Sequence, residues 1–286
     1  MSHTLVIARL VAREAARRRL LLALLVLTLI VVGFTGWGFS RIPTFTQGGR
    51  LLSEVAVKTV ASQFLILTMF MFSFVLAMAA VFVAAPSIAN DVESGIALAL
   101  LSRPISRTEY ILGKWLGHAV LVAVYAGGAG AIELLVVNAV VGYLPPEPLG
   151  FLGFLIGEGL VILTLALLLS TRLSGMVGGV IALVLFGIAW IGGIVGGIGA
   201  AFDNATIGHV GTATRLLLPT DALWRGAVFT LEPTAILGAS AQAGPAAAAN
   251  PFFAAAPLPL ATVLYAIAWI GVLLCLTVLS FRSREP

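Results

Sequence analysis

The chain has 286 residues, of which 60% are hydrophobic and only 10% charged, and its mean hydropathy is +1.11. No water-soluble domain of this size carries so much apolar surface, so a soluble enzyme or binding module is excluded and an integral membrane protein is implied. The net charge is +4, but the basic residues flank the apolar runs, where anionic lipid and membrane orientation account for them, and no nucleic-acid partner is expected.

Residues 3–19 open the chain with Arg9, Arg13 and Arg17 on one helical side and Leu5, Ala8, Val11, Ala12 and Ala15 broadly opposite. This is either an elbow helix along the cytoplasmic interface or a plain basic anchor. Apolar runs follow at 20–40, 60–85, 112–141, 150–170, 175–199 and 259–281, each matching the roughly 20 residues that cross about 30 Å of hydrocarbon. The first run has no convincing small-residue cleavage site and is read as a retained span. Strand-like alternation is missing, so the expected fold is all-α, with six transmembrane helices in one domain over 1–286.

The second run carries Met69, Phe70, Met71, Phe72, Phe74 and Met78, a stripe that reads as packing or lipid contact rather than a metal path. Between the second and third runs, residues 86–111 contain a helix capped by Asn90 or Asp91, with Ile96, Leu98, Leu100 and Leu101 as its apolar positions. Pro104 breaks it, and Ser106 caps the next helix. This helix, proline turn and helix is either a docking device for a soluble partner or a well-capped connector.

The third run is long enough to require tilt or an interruption, and Gly127, Gly128 and Gly130 provide either close packing or a local break. Glu133 in this run and Glu158 in the fourth interrupt apolar sequence, and His118 adds a polar group, so these three are candidates for a conduit or for paired packing. Gly187, Gly192, Gly193, Gly196 and Gly197 in the fifth run mark a close helix contact, with a dimer seam as one candidate.

Residues 200–258 form the largest outer segment. Its LPTDALWRGAVF stretch holds Pro219, Asp221, Trp224 and Arg225, and Asp221 and Arg225 are spaced as a helical charge pair. An interfacial gate helix, with the pair facing water and Trp224 at the membrane boundary, and a local stabilising pair are both consistent with the spacing. The Ala- and Pro-rich part, 235–259, reads as loop, a short re-entrant helix or disorder.

An even span count puts both termini on one side. With the termini inside, eleven basic residues lie on inner segments and five on outer ones, which favours cytoplasmic termini. The single cysteine, Cys275, and the scattered His3, His118 and His209 supply no metal site, and no spacing supports covalent catalysis.

The stretch ESGIALALLSRPISRTEYILGKWLG resembles the membrane subunits of type-2 ATP-binding-cassette exporters, and the resemblance extends over the whole chain through the basic elbow, six spans and LLLPTDALWRG. Within that family it is most similar to the permeases of exporters that support copper-site maturation of nitrous-oxide reductase, although its outer loop is longer and richer in alanine. The resemblance implies a homodimer in a prokaryotic cytoplasmic (inner) membrane, joined to two copies of a soluble ATPase and surrounded by lipid. A periplasmic accessory protein is a further candidate partner. It implies that Glu93, Gly95, Leu100, Leu101, Arg103, Pro104, Arg107, Tyr110 and Lys114 make the ATPase coupling region, with Glu93 and Gly95 in the coupling helix and Gly113 and Lys114 starting the third helix. No GxxxxGK[ST] phosphate loop is present, so ATP and Mg belong to the partner and the chain carries no cofactor. The cargo is left unidentified, and a small or amphiphilic substrate fits the apolar walls. Alternatives are a sulfur species for copper-site maturation, or a scaffold or sensor that recruits an ATPase and passes nothing.

Overall fold

The computed structural model describes residues 3–16, 19–102, 104–233 and 250–283. Ten α-helices are described: α1 (His3–Ala16), α2 (Arg19–Phe39), α3 (Glu54–Glu93), α4 (Ile96–Leu101), α5 (Arg107–Val141), α6 (Pro148–Leu169), α7 (Gly175–Ala201), α8 (Ala205–Leu217), α9 (Thr220–Leu231) and α10 (Leu260–Arg282). A small hairpin, β1 (Thr46–Gln47) with antiparallel β2 (Arg50–Leu51), joins α2 to α3. Six helices, α2, α3, α5, α6, α7 and α10, are long and apolar enough to cross a membrane, and the protein is an all-α, multi-pass membrane protein.

The helix α6 forms the hub. Val161, Ile162, Leu163, Ala166 and Leu167 are fully buried, and α3, α5, α7, α9 and α10 all pack on α6. Helices α2 and α10 lie outside, with most of their apolar side chains exposed. The helix α1 packs by a different face from the one the sequence suggests: Ile7 and Val11 are buried while Leu5, Arg9 and Arg13 are exposed. Ile7 and Val11 sit on Gly113 and Gly117 of α5, where a Cβ would meet them at 2.7 and 2.8 Å. Arg17 lies outside the described residues.

Two helices run further than the apolar runs predict. The helix α3 starts at the Ser53 cap, spans 40 residues and ends at Glu93, about 60 Å against a hydrocarbon thickness near 30 Å. Asn90 and Asp91 therefore lie inside α3 and cap nothing. The helix α5 begins at Ser106, as expected, with a capping box in which Ser106 and Glu109 satisfy each other's backbone N–H. It continues unbroken to Gly142, whose φ of +67° stops it, so of the two readings of Gly127–Gly130 no local break occurs, and Gly130 packs closely on Leu152 of α6.

A half-crossing hairpin occupies the end of the bundle opposite α4. From the end of α7 the chain turns back, and α8 runs antiparallel against it, with Gly208 on Gly199, Gly211 on Gly196 and Thr214 on Gly192. Beyond the break at Leu218–Pro219, α9 climbs back along α6, where Leu223 meets Gly157 and Gly226 lies against Phe154. Three of the glycines for which a dimer seam is one candidate, Gly192, Gly193 and Gly196, thus serve an intrachain contact, because only hydrogen at these positions lets the neighbouring elements approach so closely. This hairpin, α8–α9, lies upstream of the 235–259 stretch that the sequence reads as loop, a short or re-entrant helix, or disorder; most of that stretch lies outside the described residues.

A side chain at Gly211 would collide with the Gly196 backbone, whereas Gly187 faces open space. Gly211→Leu is expected to cost about 2–3 kcal/mol or more, read as a lowered melting temperature in detergent, while Gly187→Ala leaves it unchanged.

Candidate functional site

At the inner end, Gly95 adopts φ +75° and starts α4, a left-handed geometry that favours glycine. Glu93 is exposed and belongs to the last turn of α3 rather than to the coupling helix. In α4, Ala97 is buried and Leu100 packs on the cluster of Ile7, Val11, Ile88, Tyr110 and Phe281. Ile96 and Leu98 stand 49% and 51% exposed, so the short helix keeps an uncovered apolar face. Leu101 closes α4, Pro104 is exposed in the turn, and Arg103 lies outside the described residues.

The other inner candidates turn inward. Tyr110 donates to Asp91 at 2.6 Å, and the Lys114 ammonium meets the same carboxylate oxygen at 2.6 Å. Lys114 also donates to the Ser87 carbonyl, and Tyr110 stacks on Phe281. Lys114 is seven residues into α5 rather than at its start. Arg107 donates to the carbonyls of Phe281 and Arg282, capping the C-terminus of α10, where cations are favoured. The expected contact of Arg107 with an ATPase therefore competes with an internal role. His118 is buried and shares a small polar pocket with Glu14, Asn90, Asp91 and Lys114.

The two intramembrane glutamates are not brought together. Glu158 accepts from Ser73 of α3 at 2.7 Å inside the hub. Glu133 is equally buried but faces a cleft between α2, α3 and α5.

At the tip of the half-crossing hairpin, Asp221 is 2% exposed. Its Oδ2 receives Arg215 of α8 at 2.7 Å and Arg225 of α9 at 3.3 Å. Arg225 also donates to the Gly193 carbonyl, and the Asp221 carboxylate rests where a Cβ on Gly193 would stand. Of the two readings of this spacing, the local stabilising pair is the one present; Asp221 and Trp224 are buried rather than at a water-facing boundary, and Trp224 donates to the Pro251 carbonyl. Pro219 precedes α9, and Asp221 in the first turn complements the helix dipole.

Residues missed from sequence also hold the structure. Asp91 organises the inner cluster, and Arg215 completes the tip clamp. Tyr265 and Trp269 of α10 donate to the Leu216 and Leu217 carbonyls. Glu232 is fully buried and accepts the Ala254 N–H at 3.3 Å. Burial pushes its carboxyl up to about 7, partly offset by that hydrogen bond. Burial, then the Glu232 charge, also raises the nearby Tyr143 phenol, which donates to the Leu231 carbonyl. Only the i, i+4 spacing of Tyr265 and Trp269 gave a sequence signal for any of these.

Asp221→Asn leaves two guanidiniums sharing no anion and is expected to cost about 3 kcal/mol, seen as a drop in melting temperature. The folded protein keeps the Glu232 proton where the unfolded chain, near 4.5, has lost it, so stability falls as pH rises from about 4.5 through about 7. Melting curves across that window should flatten in Glu232→Gln.

Residues 5–285 match the family described as ABC-2 family transporter protein. The chain is also 31% identical, over 174 residues, to a Pseudomonas aeruginosa (strain PAO1) protein named "Probable ABC transporter permease protein NosY", the aligned part covering 59% of this chain and 59% of that relative. The match across nearly the whole chain agrees with six spanning helices arranged around one buried hub. The chain belongs to the ABC-2 family of transporter proteins and is a multi-pass membrane protein.

Proposed function

We propose that this chain is a permease that couples ATP hydrolysis by separate ATPase subunits to export of a small or amphiphilic substrate, working as a homodimer in a prokaryotic cytoplasmic membrane with both termini inside. The observation that carries this reading is α4. Its Ile96 and Leu98 are exposed beside Glu93, while its buried side is tied into α1, α3, α5 and α10. An ATPase seated on that uncovered face moves α4 as its nucleotide sites close and reopen. The Asp91–Lys114–Tyr110 cluster passes the displacement to α3 and α5 together, and Arg107 carries it to α10. Two packings of one bundle, each favoured by a different state of the ATPase, suffice for alternating access.

ATP and Mg act in the partner, and this chain contributes the path and the mechanical link. The resemblance to nitrous-oxide-reductase maturation permeases, together with the NosY-named relative, favours a second reading in which the cargo is a small sulfur species. The outer segment 200–258 is then the candidate contact for a periplasmic accessory protein. In a third reading the chain recruits an ATPase without passing cargo.

Co-purification with its ATPase, followed by ATP-dependent uptake of lipids, peptides and small sulfur compounds into inside-out vesicles, separates these readings. Leu98→Glu should abolish stimulated ATP hydrolysis and uptake, and Glu93→Gln should weaken both about tenfold, with insertion and melting temperature preserved. Stable assembly with no uptake of any compound would favour the scaffold.

A further inference from the structure

The cleft between α2, α3 and α5 has a volume of about 400 Å³, within the range that holds a drug-sized molecule. Phe34 and Met71 at its mouth are 69% and 53% exposed, so it opens sideways toward lipid. Its walls are apolar and aromatic, including Phe72 and Tyr125, whose rings pack 5.6 Å apart. Its polar groups are almost all engaged internally: Thr28 and Tyr125 share a hydrogen bond at 3.1 Å, and Thr35 donates to the Val31 carbonyl at 2.9 Å. Glu133 is only half engaged: Thr35 hydrogen-bonds to its carboxyl, but the residue is 1% exposed, lines the cleft, and its Oε1 has no hydrogen-bond partner among the described residues.

No Lys, Arg or His lines this cleft, so the chain supplies Glu133 with no cation there. A carboxylate in hydrocarbon is costly without a partner, and aromatic faces attract cations. We infer that the cleft binds a lipophilic amine, with the ammonium donating to Glu133 beside Phe72 and Tyr125 and the alkyl part lying along α2 toward the bilayer. The sideways opening admits such a molecule directly from the membrane, where amphiphiles concentrate. The ligand class follows from charge complementarity: a fatty acid brings a second anion to Glu133, and a fatty alcohol brings a hydrogen bond without the charge. The inference rests on the export reading only in taking the bound amine as cargo.

Binding is measured on the full chain in detergent, without ATPase or nucleotide, by native mass spectrometry with dodecylamine, dodecanol and dodecanoate. The expected result is one amine per chain, held at least about tenfold more tightly than the alcohol or the acid. Glu133→Gln should bring amine affinity down to that of the alcohol, and Met71→Trp at the mouth should weaken all binding. Equal affinity for the three head groups, in the wild type alone, would mark an ordinary lipid groove and overturn the inference even if Glu133→Gln failed to fold. Unchanged amine affinity in a folded Glu133→Gln, or a chain dimer that takes no amine because the second copy covers the cleft, would do the same. Amine binding without stimulation of the co-purified ATPase would instead count against the export reading and leave the site standing.

Discussion

Hydrocarbon offers no hydrogen-bond partner to a peptide group, and this constraint governs the least regular part of the fold. The break at Leu218–Pro219 lies level with Gly192 and Gly193, nine residues from the end of α7, or about 13 Å along the helix. A helix that ends at such depth exposes its last carbonyls to lipid. Tyr265 and Trp269, one turn apart on α10, donate to the carbonyls of Leu216 and Leu217. Arg225 donates to Gly193 on the opposite side. The hairpin is held because two donors from α10 meet the broken end of α8, because Arg225 of α9 ties it to the α7 backbone, and because glycines on α7 and α8 let the helices lie close.

The same logic explains why charge is tolerated at the tip. Asp221 is surrounded by two guanidiniums and the first turn of α9, so its desolvation is compensated locally. The arrangement fixes α7, α8 and α9 to one another, and Trp224 and Glu232 tie residues 251–254 to the same block through the Pro251 carbonyl and the Ala254 N–H. The half of the bundle away from α4 is thereby organised as one unit, with Glu158 and Ser73 joining α6 to α3 beneath it.

At the other end, α4 combines a tightly held side with an open one. Gly95 turns the chain sharply after α3, the Ser106–Glu109 capping box restarts it as α5, and between them stand two exposed apolar residues. The inner ion cluster lies immediately behind, and α5 runs without interruption from there to the level of Tyr143. A displacement at α4 is therefore delivered to long, continuous helices rather than dissipated in loops. This is the physical basis of the coupling proposal.

Composition and hydropathy determined that the protein is an all-helical membrane protein, and uncharged run lengths located all six spans, because lipid imposes a length and a polarity that a linear sequence displays directly. The Ser106 cap was legible for the same reason, its signal being local. Span ends were not: α3 extends past its apolar run to Glu93, since neighbouring helices sustain a polar segment that hydropathy alone would end near Pro86. Asp91 reads as a helix-cap candidate and is instead a partly buried anion that Lys114 and Tyr110 share, because those partners come from a different helix. Asp221, Arg225 and Trp224 were recognisable as a group, yet only the fold turned them inward and added Arg215. The glycines of α7 announced a close contact without naming its partner. Which helix fills that contact, and which carboxylate faces a cleft while another meets a serine, depends on pairings between distant segments, and only the tertiary structure decides those.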